Sequence, residues 1–279
     1  MQLGINSYTY MWSIGFKGVN PAFPDRAAIP AQPLTALGLL EKARRLGVRL
    51  VQSGPNLPLE ALPDAELEAF IQTAHDQGIT LELGTRGLEA NHLRRQVALA
   101  KRMGAALIRT LPEFGGQYAS DARLIPPALR QALPLLEKEG IRLGIENGGI
   151  PAADLRLALE QVNSPCVGVV LDMVNSLAVP EGWKYVTELL APHTMCLHYK
   201  DFTIRRLWHM MGFVCEGAPA GQGMLDAAWL FAALRESRHD FNVILELWTP
   251  EQETLEATIA LEQAWAEESI RYLRRFIQD

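Results

Sequence analysis

The chain alternates between two patterns of apolar and polar positions. Short runs dense in Val, Ile and Leu recur at QLGIN (2–6), VRLVQ (48–52), ITLELG (79–84), ALIRT (106–110), RLGIE (142–146), VGVVLD (167–172), MCLHY (195–199) and NVILEL (242–247). That is the pattern of parallel strands buried on both faces. Between them lie stretches with apolar residues at helical spacing, over 34–47, 64–78, 91–104, 126–140, 152–162, 183–190, 226–238 and 251–277. Gly47, Gly104 and Gly140 read as C-caps and Asp64 as an N-cap, whereas Pro134 predicts a kink or break in its helix.

A strand–helix unit that repeats without a linker or low-complexity run predicts a single closed (β/α)8 barrel, an α/β domain over residues 1–279. The rival is an open doubly wound sheet. A nucleotide-binding version would carry a Gly-rich turn after its first strand, and here that turn reads SYTYMWSIG.

Composition narrows the class of partner. The net charge of −6 lacks the basic excess of a nucleic-acid binder and leaves a small-molecule substrate. Cys166, Cys196 and Cys215 form no CxxC and are odd in number, which predicts small buried thiols in a reducing cytoplasm. The N-terminus reads as no signal peptide and no apolar run is long enough to span a bilayer, so a cytoplasmic protein without membrane contact is expected.

In a parallel barrel the chemistry sits at the C-terminal ends of the strands. The last four runs end at Glu146, Asp172, His198 and Glu246. Each acidic residue alone reads equally as a helix cap or a salt-bridge partner. Together, three carboxylates at one mouth would force protonation unless a cation meets them. One divalent ion resolves this. Oxygen ligands with one imidazole suit Mn²⁺ first, and Mg²⁺, Co²⁺ or Zn²⁺ as well.

These residues, in "GIEN", "VVLDMVN", "LHYKD" and "ILELW", with the HxKD segment His198–Asp201 and the GxGxxD segment Gly221–Asp226, resemble the xylose-isomerase-like barrel superfamily. That group includes sugar isomerases, ketose 3-epimerases, inosose dehydratases and endonuclease IV. The resemblance implies a barrel with one metal held by Glu146, Asp172, His198 and Glu246. It further implies that Glu146 and Glu246 flank a chelated substrate as catalytic acid–base groups. The reaction it implies is sugar isomerisation or epimerisation through a metal-bound enediolate. Two departures matter. Asn175 stands where the epimerases carry a His after the strand-six Asp. Gln52, Gly84 and Arg109 stand where a trinuclear nuclease would need further His ligands.

The segment 198–226 carries Lys200, Asp201, Arg205, Arg206 and His209. It reads as a solvated charged loop or as an anion pocket, to which Arg109 adds a clamp unless it forms a salt bridge across the barrel. The anion reading points to a sugar acid or sugar phosphate. It brings in a second reaction, decarboxylation of a 3-oxo sugar acid, and the HYKDFTIRR loop resembles the 3-oxo-isoapionate decarboxylase-like branch. Tyr8, with Tyr10 and Trp12, reads as an aromatic wall or as packing, and Trp248 as a pocket flank or as core. His75, His92, His193 and His239 read as lying away from the mouth. The long last helix and the aromatics predict a homo-oligomer.

Overall fold

In the computed structural model, residues 1–17, 25–119, 121–237 and 240–278 are described, so His239 lies outside the described residues. Eight parallel strands close a barrel: β1 (Leu3–Asn6), β2 (Leu50–Ser53), β3 (Thr80–Gly84), β4 (Leu107–Thr110), β5 (Arg142–Glu146), β6 (Val167–Asp172), β7 (Thr194–Tyr199) and β8 (Asn242–Leu245). Pairing of Leu3 with Val243 and of Ile5 with Val51 joins β1 to β8 on one side and to β2 on the other. Each strand matches an expected run to within two residues.

The strands are largely apolar because each faces two cores. Leu50, Leu107, Val170, Cys196 and Ile244 pack together in one buried cluster, while Leu3, Val51, Leu143 and Leu197 belong to a second, larger one that includes the helices. Full burial of one such side chain contributes about 1.5–3 kcal/mol.

The helices that cover the barrel are α1 (Ala36–Leu46), α2 (Asp64–Asp76), α3 (Ala90–Met103), α4 (Ile125–Glu139), α5 (Ala152–Val162), α6 (Trp183–Leu190), α7 (Ala227–Glu236) and α8 (Leu255–Leu273). Gly47, Gly104 and Gly140 end α1, α3 and α4 with φ between 66° and 69°, the left-handed conformation that favours glycine. The break expected at Pro134 does not form, and α4 runs through it to Glu139. The pyrrolidine removes one N–H, and packing of Leu129, Ala132 and Leu136 against the core holds the helix across that gap. Asp64 begins α2 but makes no capping hydrogen bond; Pro63 occupies the cap position.

The loops at the C-terminal ends of the strands carry extra structure. After β1, Trp12 N (2.8 Å), Ser13 N (3.0 Å) and Ser13 Oγ (2.6 Å) all donate to the buried carboxylate of Glu262 on α8. Burial pushes that carboxyl up to about 7. Small hairpins follow β4 (Glu113–Phe114 with Gln117–Tyr118) and β7 (Phe202–Arg206 with Phe213–Gly217). All three cysteines are free, and no helix among the described residues is long and apolar enough to cross a membrane.

Candidate active site

Glu146, Asp172, His198 and Glu246 converge at the mouth, each no more than 2% exposed. Ligand atoms of Glu146, Asp172 and His198 lie within 4.8 Å of one another, and Glu246 Oε1 is 3.1 Å from His198 Nδ1.

The orientation of His198 is fixed from behind. Its Nε2 is 2.8 Å from Gln52 Oε1; Gln52 Nε2 donates to Glu82 Oε2 at 2.9 Å, and Asn242 Nδ2 donates to Glu82 Oε1 at 2.8 Å. With the Gln52 amide turned this way, its oxygen accepts from the imidazole, so Nε2 carries a proton and Nδ1 is left to take either a proton or a cation. Nδ1 has no well-directed hydrogen-bond partner among the described residues and faces Glu146 Oε2 at 3.3 Å and Glu246 Oε1 at 3.1 Å. A lone pair aimed at two carboxylates needs a proton or a cation between them. Burial opposes an imidazolium, yet the Glu246 and Glu146 carboxylates hold the His198 pKa well above its usual value. Asp172 Oδ2 likewise has no well-directed hydrogen bond among the described residues and meets the Lys200 ammonium at 2.8 Å. Three carboxylates and a bare imidazole nitrogen are a donor set that fits a divalent ion.

Further charged and amide groups surround this cluster. Lys200 Nζ lies 2.8 Å from both Asp172 Oδ2 and Glu246 Oε2. Arg109 Nε donates to Glu146 Oε2, and its Nη1 donates to the Thr85 carbonyl at 3.2 Å. Asn175 Nδ2 donates to Glu146 Oε1 at 2.6 Å, and Asn6 Nδ2 donates to Glu246 Oε1. Burial would raise both glutamates, but Arg109 holds Glu146 low and Lys200 holds Glu246 low. At Asp172 burial prevails and raises the carboxyl. Lys200 stays charged: Asp172 and Glu246 outweigh its desolvation.

Above the cluster opens a cavity of about 380 Å³ lined by Tyr8, Arg109, Asn175, Lys200, Trp248 and their neighbours. The Gly148–Gly149 pair after Glu146 makes room for the Tyr118 ring. A Cβ on Gly149, whose φ is +71°, would come within 2.5 Å of that ring. Asp201 locks the segment beyond β7. Its carboxylate accepts from the backbone N–H of Phe202 (2.9 Å), Gly221 (2.9 Å), Gly223 (3.1 Å) and Leu225 (3.1 Å). The HxKD and GxGxxD segments therefore meet in one hydrogen-bonded knot beside Lys200.

Not every expected residue is brought here. The expected clustering of Arg205 and His209 with Lys200 is corrected by the structure. Arg205 Nε pairs with Glu216 Oε2 across the hairpin at 3.0 Å, and His209 sits in the exposed hairpin turn beside Trp208. Neither lines the cavity. Tyr10 and Trp12 are core: Tyr10 packs under Lys42, and Trp12 Nε1 donates to the Thr249 carbonyl. Asn6, Gln52, Glu82 and Arg86 were not among the expected site residues. The first three were legible as polar side chains inside or ending otherwise apolar strands.

The profile of the family described as "Xylose isomerase-like TIM barrel" matches residues 11–276. A 3-oxo-isoapionate decarboxylase of Pectobacterium atrosepticum is 33% identical over 274 residues, 98% of this chain and 95% of that one. Among solved structures, D-psicose 3-epimerase of Clostridium cellulolyticum H10, crystallised with D-tagatose, superposes with a TM-score of 0.71 at 14% identity over the whole of both chains. A xylose isomerase-like barrel protein of Mycobacterium smegmatis, solved in complex with magnesium, gives 0.68 at 16% identity over 97% of each. At these identities the structural likeness speaks for the fold alone. With the match to the family profile and the full-length relative, the chain belongs to the xylose isomerase-like TIM barrel family.

Proposed function

We propose that the protein is a metal-dependent carboxy-lyase that acts in the cytoplasm on a small hydroxylated 3-oxo acid and passes through an enediolate. The observation that carries this is the charge of the buried cluster. Three carboxylates face two side-chain cations, Arg109 and Lys200. Glu146, Asp172, His198 and Glu246 would hold a divalent ion, Mn²⁺ in the first instance, which would turn the remaining negative charge into a positive one. Such a site favours an anionic substrate over a neutral sugar. The full-length relative named as a 3-oxo-isoapionate decarboxylase supports the same reading.

When bound there, the ion would polarise the ketone oxygen and offset the negative charge that develops on it. The protein supplies the rest. Asn175 is placed at the cavity to meet a substrate hydroxyl while it holds Glu146, and Tyr8 and Trp248 shield the site from water. Cleavage of the bond to the carboxylate releases CO₂ and leaves its electron pair on the enediolate. Lys200 Nζ donates a proton to that carbon and regains one from solvent: two of its N–H groups are directed at Asp172 and Glu246, which leaves the third for the substrate.

One observation favours the second reading, isomerisation or epimerisation. Glu146 and Glu246 reach the cavity from β5 and β8, as an acid–base pair on two faces of a carbon would. Against it, all four of their oxygens already accept from Arg109, Asn175, Asn6 or Lys200. Incubation of Mn²⁺-loaded protein in D₂O with ketoses, sugar phosphates and 3-oxo-isoapionate separates the two by mass. Loss of CO₂ with gain of one deuterium is the expected result. Deuterium gain at constant carbon count would replace the lyase with the isomerase.

A homodimer is part of the proposal. The hairpin after β7 exposes Trp208 (92%), Met211 (87%), Met210 and Phe213 at its tip. A large exposed aromatic such as Trp208 presents about 150–250 Å², so the tip supplies part of the ~800 Å² per partner of a stable interface. Arg206 makes the tip basic on a chain of net charge −6, which suits a second copy as the occupant. Light scattering should give a dimer or larger assembly, and Trp208→Asp with Met211→Asp should give a monomer. A monomeric wild type would rule the interface out.

A further inference from the structure

Arg86, in the loop after β3, lines the cavity with only one of its two hydrogen-bonding forks in use. Glu113, buried in the loop after β4, takes the side fork: Nε donates to Oε2 at 3.0 Å and Nη2 donates to Oε1 at 2.6 Å. The end fork, Nη1 with the outer N–H of Nη2, meets no acceptor among the described residues, and the side chain is 49% exposed. Arg109 is built into the same wall, since its Nη1 donates to the carbonyl of Thr85, the residue before Arg86. Arg109 is committed to Glu146, whereas Arg86 is committed to nothing in the carboxylate cluster.

We propose that Arg86 is the anchor for the substrate carboxylate, with Glu113 as the residue that positions it. The inference rests on the reading of the site as one for a hydroxylated acid. A planar guanidinium fork matches a carboxylate with two parallel hydrogen bonds. Glu113 holds the guanidinium in place before the ligand arrives, so less side-chain freedom is lost on binding. A carboxylate on the end fork leaves the hydroxyl-bearing part of the substrate to reach the cluster at the base of the cavity. The contact exists while the carboxylate is present and is lost when it leaves as CO₂. Arg86 therefore distinguishes substrate from product, and its removal should act on KM more than on kcat.

The test is titration calorimetry on the Mn²⁺-loaded protein with two stable probes, L-threonate (a four-carbon sugar acid) and erythrulose (a neutral four-carbon ketose). Wild type should bind threonate more tightly. Arg86→Gln should lose roughly tenfold to hundredfold of that affinity and leave erythrulose and Mn²⁺ binding unchanged. Arg86→Lys should recover part of the loss, and Glu113→Gln should weaken threonate alone. Tight threonate binding that survives Arg86→Gln overturns the anchor and leaves the acid-substrate reading standing. Threonate bound no better than erythrulose by the wild type overturns both. Equal weakening of both probes and of Mn²⁺ by Arg86→Gln makes Arg86 a structural residue and also overturns the anchor.

Discussion

Replacement of Lys200 by Met should lower kcat for CO₂ release by about 10²–10⁴, the range for loss of a positioned proton donor. The same substitution should destabilise the metal-free protein strongly. Lys200 Nζ sits 2.8 Å from one oxygen each of the buried carboxylates of Asp172 and Glu246. Removal of the cation leaves two buried carboxylates facing one another, and breaking a buried pair costs about 3–5 kcal/mol. Mn²⁺ should restore much of that loss in stability and none of the loss in rate. Thermal unfolding with and without Mn²⁺, beside steady-state kinetics, reads the two effects separately. Lys200→Arg keeps the charge and should rescue stability better than rate. If Lys200→Met stays within tenfold of the wild-type kcat, the proton comes from elsewhere.

Asp201→Ala should cost about 3 kcal/mol, because four backbone N–H groups lose their shared acceptor. Gly223 approaches that carboxylate so closely that a Cβ on it would lie 2.0 Å from Asp201 Oδ1, which leaves little room for water to replace the carboxylate. Urea unfolding gives the free energy. Hydrogen exchange over residues 217–226 should show this segment opening before the barrel does. A loss below 1 kcal/mol, or uniform exchange, would mean that the knot contributes little. Asp201→Asn keeps an acceptor oxygen and should lie between the two.

The barrel was legible because every strand must be apolar on both faces and every helix on one, and those two periods are written directly into the chain. The four strand-tip residues were legible for the same reason: a carboxylate or imidazole that ends such a run has one place to go. Loops carry no comparable constraint. Arg205 and His209 looked like neighbours of Lys200 by spacing, but the hairpin pairs Thr203 with Glu216. That register sets Arg205 diagonally across from Glu216, its ion-pair partner, and not in the cavity lining. Arg86 and Glu113 are 27 residues apart in two different loops, and only the closed barrel makes them partners. The helix runs through Pro134 without a break because local propensity is a weak prior once a helix is packed on a core.

The hydrogen bonds that run from Asn242 through Glu82 and Gln52 to His198 form a polar thread from the N-terminal end of the barrel to its mouth. Asn242 Oδ1 also accepts from the backbone N–H of Gln2, so the thread begins at the second residue of the chain. Barrel enzymes are commonly described as two halves, one free to evolve chemistry and the other left to stability. Here that division fails along one line. Sequence drift at Asn242 or Glu82, on the stability half, would be felt at the imidazole. Directed evolution confined to the cavity walls would overlook the residues that decide which way His198 points.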